Sequence, residues 1–210
     1  MLAAAIRGEP AVTDRVPYTV QICEHLVRTA TGDYVQVFRL AGAGFECADD
    51  EQLNNWHERL NILWRNVASP DLALWTHIIR RRETLPSHAA ATHDFADELD
   101  HRYRTRLDNE TLMINELYLS TVYRPAGGAV HASAVRLLRA ARDESERQVD
   151  QAIEHCAKLA QTLQASLVRY EPQRLGTYCR NGIWHSAVLE FLGVLVNAEV
   201  QPLALPTGPL

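Results

Sequence analysis

Lysine is almost absent from this sequence. Lys158 is the only lysine among 210 residues, and every other permanently cationic side chain is arginine. A phosphate-binding loop of the form G-x-x-x-x-G-K-S/T needs a lysine after its last glycine, where the side chain reaches the terminal phosphates of a nucleotide. Lys158 instead follows Ala157 inside a predicted helix. The chain therefore contains no such loop.

Other catalytic and metal-binding signatures are also missing. The sequence has no G-x-G-x-x-G, no G-x-S-x-G and no H-E-x-x-H. Its four cysteines lie far apart, which excludes zinc-knuckle spacing and favours free thiols in a cytoplasmic protein. No metal or cofactor is expected in this chain. An enzyme with an unfamiliar site, built on His77 or His185, stays open as an alternative.

Long apolar runs and a basic charge balance are lacking as well. No stretch reaches the roughly 18 apolar residues that a membrane-spanning helix needs, so membrane association would have to run through a partner. The first residues, MLAAAIRGEPAVTD, lack the long apolar core of a signal peptide. The net charge is -5, which makes nucleic acid an unlikely main partner but leaves room for a local basic patch.

The order of hydrophobic patterns predicts a single domain. Residues 1–16 are expected to form a flexible lead-in, residues 17–200 a single domain, and residues 201–210 a proline-containing linker. The pattern reads β-β-α-β-α-β-α-β-α, which predicts an α+β fold. We expect a mostly antiparallel sheet with helices packed on one face, split-βαβ-like elements and one long helix.

Several elements have clear local signals. A hairpin is expected around Thr31-Gly32-Asp33, where glycine supplies a positive φ. Asp49 and Ser186 are expected to cap two helices, and the last helix should be buried on most sides because its apolar residues occupy more than one face. The remaining predicted segments are strands at 72–82 and 111–125, helices at 93–108 and 132–167, and a turn at 181–182. All four tryptophans are expected in the core.

Two arginine-rich regions are candidates for binding a partner. Arg80, Arg81 and Arg82 end a predicted strand, where three adjacent residues place charge on both faces of a sheet. Arg142 and Arg147 lie in the polar middle of the long helix. A third candidate is an exposed apolar patch on the first hairpin. The arginines of the second helix are interpreted as partners of nearby acids, such as Glu98 with Arg102.

The order and spacing of five segments resemble the CagE/TrbE/VirB family, the conjugation-type ATPases of type IV secretion systems. The first two are Gly32 to Glu46 and the following helix with Asp50 and Leu53. The other three are LALWTHIIRRRE, the pair FADELDHRYRTRL and NELYLSTVYRP, and HSAVLEFLGVLVNAEVQPLALP. The resemblance covers about Pro17 to Pro206.

The resemblance implies an N-terminal domain without its motor. In the family the ATP-binding domain comes afterwards, so ATP and magnesium are expected only in that absent part, and residues 201–210 would lead towards it. Full-length members power pilus biogenesis and substrate transfer at the cytoplasmic face of the bacterial inner membrane. Their N-terminal domain is expected to dock onto inner-membrane subunits and to contribute to a homo-oligomer. The chain itself is then expected to be inactive, with a stand-alone nucleic-acid-binding or enzymatic domain as the alternative.

Overall fold

The structure is a computed structural model that describes residues 16–83, 94–108, 112–125 and 140–206. The predicted lead-in therefore lies almost wholly outside the described residues. The strands are β1 (Tyr18–Cys23), β2 (Leu26–Thr29), β3 (Tyr34–Leu40), β4 (Leu72–Arg82), β5 (Met113–Tyr123), β6 (Gln173–Arg174), β7 (Thr177–Arg180) and β8 (Ile183–Ser186). The α-helices are α1 (Asp50–Val67), α2 (Asp94–Asp108), α3 (Ala140–Ser166) and α4 (Ala187–Asn197).

The main sheet confirms the predicted α+β class. Its strand order is β1-β2-β3-β5-β4, with β6 paired to β3, and every pairing is antiparallel. Strands β3 and β4 are joined through α1 and are both antiparallel to β5, which lies between them. They are therefore parallel to each other, and β3-α1-β4 is the expected split βαβ unit.

Helices cover both faces of the main sheet, so the prediction of helices on one face is wrong. Phe38 packs with residues of α1 and α3, whereas its neighbour Val37 packs with residues of α4. Successive side chains of a strand point to opposite faces, so the two helical layers lie on opposite sides. The physical cause is visible in β3, whose residues Tyr34 to Phe38 are all buried. Such a strand needs cover on both sides.

The first predicted hairpin is a three-stranded meander. The run before Gly32 contains two strands, because the chain reverses at Glu24 and His25 between β1 and β2. Gly32 has the positive φ expected of it, at 89°. The N-terminal run contains no glycine or proline at Glu24 and His25, and those are the residues by which turns are normally detected. The extra reversal therefore left no strong signal in the sequence.

An ion pair between buried Asp33 and exposed Arg124 joins the turn before β3 to the end of β5. The Asp33 carboxylate accepts hydrogen bonds from Arg124 Nε at 3.0 Å and Arg124 Nη2 at 3.1 Å. Thr31 Oγ1 donates a third hydrogen bond at 3.0 Å. Hydrogen bonding to the Arg124 guanidinium lowers the pKa of Asp33, in spite of the opposing effect of burial. Arg124 N also donates to Asp71 O at 2.8 Å, which ties β4 to the same point.

The link from the main sheet to the small β7-β8 hairpin is tightly packed. His25 Nδ1 lies 2.9 Å from Leu175 O, and the imidazole ring covers Gly176. A Cβ atom added at Gly176 would lie only 2.5 Å from His25 Nδ1. Beyond this link, Asn181 and Gly182 form the predicted turn, both with positive φ.

The last helix begins at its predicted cap but is less buried than expected. Ser186 Oγ accepts from Leu189 N at 3.2 Å. Val188, Phe191 and Leu192 are buried, whereas the last turn of α4 is exposed. The prediction of burial on most sides is therefore wrong. Leu189 is half-buried against the same cluster, whereas Leu195 is 42% and Val196 51% exposed.

Part of the predicted linker is hydrogen-bonded to the domain. Ser186 N donates to Leu203 O at 3.1 Å, and Leu205 N donates to Trp184 O at 2.7 Å. Glu190 Oε1 accepts from Leu203 N at 3.1 Å and from Tyr178 Oη at 2.8 Å. The single carboxylate of the apolar α4 segment therefore holds the chain that leaves the helix.

Candidate interaction surface

Strand β4 is an edge of the main sheet. Among the described residues it pairs with β5 alone, through all eleven residues from Leu72 to Arg82 in unbroken register. Two large apolar side chains of this strand face solvent: Trp75 is 60% exposed and Ile78 is 69% exposed. β4 therefore combines an open backbone edge with exposed apolar surface.

The register with β5 shows which backbone groups of β4 face outward. At the two ends of the ladder, Arg124 N donates to Asp71 O, and Glu83 N donates to Leu112 O. Hydrogen-bonded and non-hydrogen-bonded residues alternate along an antiparallel pair. The odd-numbered residues of β4 therefore bond to β5. The even-numbered residues from 74 to 82 direct their N–H and C=O groups to the open edge.

The arginines at the end of β4 divide between the two faces, as the sequence predicts. Arg80 and Arg82 are exposed and lie on the same face, and within the described ranges neither has an ion-pair partner. Arg81 lies on the other face, where its guanidinium bonds Glu83 Oε2 at 2.6 Å and Glu116 Oε1 at 3.2 Å. Hydrogen bonding to Glu116 raises the pKa of Arg81 above its ordinary value. Arg80 and Arg82 are therefore available to a partner, whereas Arg81 is held by the domain.

Of the second arginine group, Arg147 lies towards the opposite end of the sheet. Cys156 packs with Tyr34, beside the end of β5, and the later residues of α3 pack progressively towards its start. Arg147 precedes Cys156 and is exposed. Arg142 lies in α3, but its side chain falls outside the described part. The eleven residues of β5 span roughly 35 Å at about 3.3 Å per residue, so Arg147 does not form one patch with Arg80 and Arg82.

Exposed apolar side chains are not where the sequence predicts them. Strands β1 to β3 carry no large exposed apolar residue among those described, so the predicted patch on the first hairpin is wrong. Most residues of β2 and β3 are buried, and β1, at the opposite edge of the sheet from β4, is mostly half-buried. Trp75, and Trp184 at 54% exposed, are at the surface, so the prediction of four core tryptophans is wrong for these two. The sequence does not indicate that these two tryptophans are exposed, because exposure depends on a strand's position in the sheet.

The other candidates have structural partners. On α2, Arg102 Nε donates to Glu98 Oε1 at 2.7 Å, which confirms the expected pairing. His77 Nε2 lies 3.0 Å from Ser120 Oγ, its ring packs edge-on against Phe191, and burial lowers its pKa. His185 stacks on Tyr178 and bonds the backbone of its own strand. The described ranges contain no group of three or more metal-ligating side chains.

Comparison with known proteins identifies the family. The family model for the N-terminal domain of the type IV secretion system ATPase VirB4/TrbE matches residues 25–130, which is half of the chain and includes β4. The chain belongs to this family. The resemblance found in the sequence is thereby confirmed. No helix in the described ranges is long and apolar enough to cross a membrane.

Individual VirB4-type relatives match nearly the whole chain. It is 31% identical to the type IV secretion system protein VirB4 of Bartonella quintana, over 98% of this chain and 26% of that protein. The VirB4 protein of Brucella suis is 32% identical over 99% of this chain and 26% of its own length. The PtlC protein of Bordetella pertussis is 31% identical over the same two shares, 99% and 26%. The chain thus spans about a quarter of the length of these relatives.

Proposed function

We propose that this VirB4/TrbE-family domain is a docking and assembly module of a type IV secretion ATPase. In this proposal it attaches the ATPase to inner-membrane subunits at the cytoplasmic face of the bacterial membrane. The longer protein then energises pilus biogenesis and substrate transfer. ATP and magnesium bind in the part of the longer relatives that this chain does not match. The domain also contributes contacts to a homo-oligomer of the full-length protein.

The observation that carries the proposal is the open edge of β4. The chain belongs to the VirB4/TrbE N-terminal-domain family, and its sequence contains no phosphate-binding loop. The edge offers unsatisfied backbone groups, exposed Trp75 and Ile78, and two arginines, Arg80 and Arg82, without partners among the described residues. These features suit binding to another protein rather than catalysis, because exposed apolar side chains beside unpaired charge mark interaction surfaces.

Co-expression with the cognate inner-membrane subunits tests the proposal. The chain is expected in the membrane fraction, and in a detergent-solubilised complex, only when those subunits are present. Cells that lack the subunits are the control, and there the chain is expected in the supernatant. The proposal is wrong if the chain captures none of the subunits under conditions in which the longer family member captures them.

A further inference from the structure

We propose that the outer edge of β4 pairs with an extended acidic segment of a partner protein, which adds to the main sheet as one more antiparallel strand. The inference deepens the docking function proposed above and rests on it. The partner segment has alternating apolar and polar residues, with carboxylates at the end that lies beside Arg80 and Arg82.

The first support is that the described residues leave this edge without protection from Leu72 to Ile79. Sheet edges are usually blocked by short strands, bulges, proline or inward-pointing charge, because open backbone groups recruit other strands. β4 has eleven residues, keeps one-to-one register with β5 throughout, and contains neither proline nor any charge before Arg80. Ile78 and Trp75 would gain apolar neighbours when a further strand pairs here. The edge is built as a template for strand addition.

The second support is charge. The outward-facing residues of β4 include Arg80 and Arg82, whose side chains are exposed on one face and have no ion-pair partner in the part of the chain that the structure describes. Residues directly opposite on paired strands lie within reach of one another, so carboxylates there would form two ion pairs. An antiparallel partner places these carboxylates near its own N-terminal end.

A second copy of this chain suits the exposed arginines of β4 less well than an acidic segment does. If the β4 strands of two copies pair antiparallel about a two-fold axis at residue 76, most of each strand is paired. This arrangement places Leu72 opposite Arg80 and Pro70 opposite Arg82. Moving the centre to residue 77 places leucines opposite both arginines. Asp71 lies on the other face in either arrangement. Self-pairing therefore leaves both guanidinium groups without a carboxylate, whereas an acidic foreign strand satisfies them.

Synthetic peptides provide the probe. The test peptide is an acetylated ten-residue sequence of alternating valine and threonine, with glutamates at two alternate positions near its N-terminus. The matched control carries lysine at those two positions. Binding to the full chain is followed by NMR hydrogen exchange of the β4 amides. We expect protection of the outward amides of Leu74, Thr76 and Ile78, no change at the inward amides, and binding of the lysine peptide about tenfold weaker.

Two sets of variants test the backbone and the charge contributions separately. Thr76→Pro removes one outward N–H group but no bond to β5, since proline is tolerated at sheet edges. It is expected to abolish peptide binding, whereas Thr76→Val, which keeps the N–H group, is expected to bind normally. The double variant Arg80→Glu, Arg82→Glu is expected to reverse the preference, so that the lysine peptide binds more tightly. Circular dichroism and the inward amide protection report whether each variant folds.

The possible outcomes separate the β4 inference from the proposed docking function. Equal binding of both peptides, or binding without protection of the outward amides, overturns the inference. Protection of those amides that increases with protein concentration alone identifies a second copy as the occupant. If wild type and Thr76→Pro capture the inner-membrane subunits equally, docking stands but does not use β4. If the peptide binds as expected and the subunits are not captured, the edge is active and the proposed docking function is wrong.

Discussion

Replacing Asp33 by asparagine isolates the contribution of one buried charge, because the amide has nearly the shape of the carboxylate. Asp33 is only 6% exposed and accepts three side-chain hydrogen bonds, two from Arg124 and one from Thr31. Hydrogen bonds to charged groups contribute about 1.5 to 3 kcal/mol, and the solvent exposure of the Arg124 side chain favours the low end of that range. We expect Asp33→Asn to lower the free energy of unfolding by about 2 kcal/mol.

Urea unfolding, followed by far-ultraviolet circular dichroism, measures this change. With a slope of about 2 kcal/mol/M, the midpoint should fall by roughly 1 M. Asp50→Asn is the matched control, since that carboxylate is exposed in the first turn of α1 and should cost at most about 0.5 kcal/mol. Introduced into an Arg124→Ala background, the asparagine should have a much smaller effect. An equal loss in both backgrounds would refute the ion pair as the cause.

The difference in unfolding free energy between wild type and Asp33→Asn should depend on pH in a definite direction. The folded-state pKa of Asp33 is lowered, mainly by hydrogen bonding to Arg124. A lowered pKa stabilises the fold above the unfolded carboxyl value of about 4, and the contribution disappears as pH falls through the folded value. The difference between wild type and Asp33→Asn should therefore be constant from pH 7 to about pH 5 and shrink below about pH 4. A difference that grows on acidification would contradict this reasoning.

Three further predictions concern other parts of the domain. Gly176→Ala should lower stability by about 1 to 3 kcal/mol, because the new Cβ meets the His25 ring, and His25→Ala should restore part of the loss in urea unfolding. Burial raises the pKa of the Cys156 thiol to about 12, so a thiol reagent at pH 8 should label this cysteine only after denaturation, as mass spectrometry can show. Glu190→Gln should weaken the bond to Leu203 N and speed hydrogen exchange of that amide, while Glu199→Gln, an exposed control, should not.

Long periodic segments were the predictable part of the fold. Strand β4 begins and ends where the sequence predicts, and the caps at Asp49 and Ser186 accept the expected backbone hydrogen bonds. These features depend on local chemistry: side-chain oxygens at helix starts, and runs of β-branched residues. Strand β8 was missed because its four residues lead directly into α4, with no turn residue between them.

The candidate surface was only partly predictable. Side-chain alternation along a strand indicates that Arg80 and Arg82 share a face that Arg81 does not, and the structure agrees. Sequence could not show that β4 is an edge strand. Its run from Leu72 to Ile79 has the composition of a buried central strand, and only the pairing of β5 between β3 and β4 leaves it at the outside. The exposure of Trp75 follows from that topology alone.

The ion pair and the open edge are connected through one residue. Arg124 bonds Asp33 through its guanidinium and Asp71 through its backbone N–H, so it joins the turn before β3, the end of β5 and the start of β4. The eleven-residue ladder with β5 sets the alternation of inward and outward groups along β4, because a shift of one residue would exchange the two sets. The ion pair fastens the end of β5 to the turn before β3 at the point where this ladder begins.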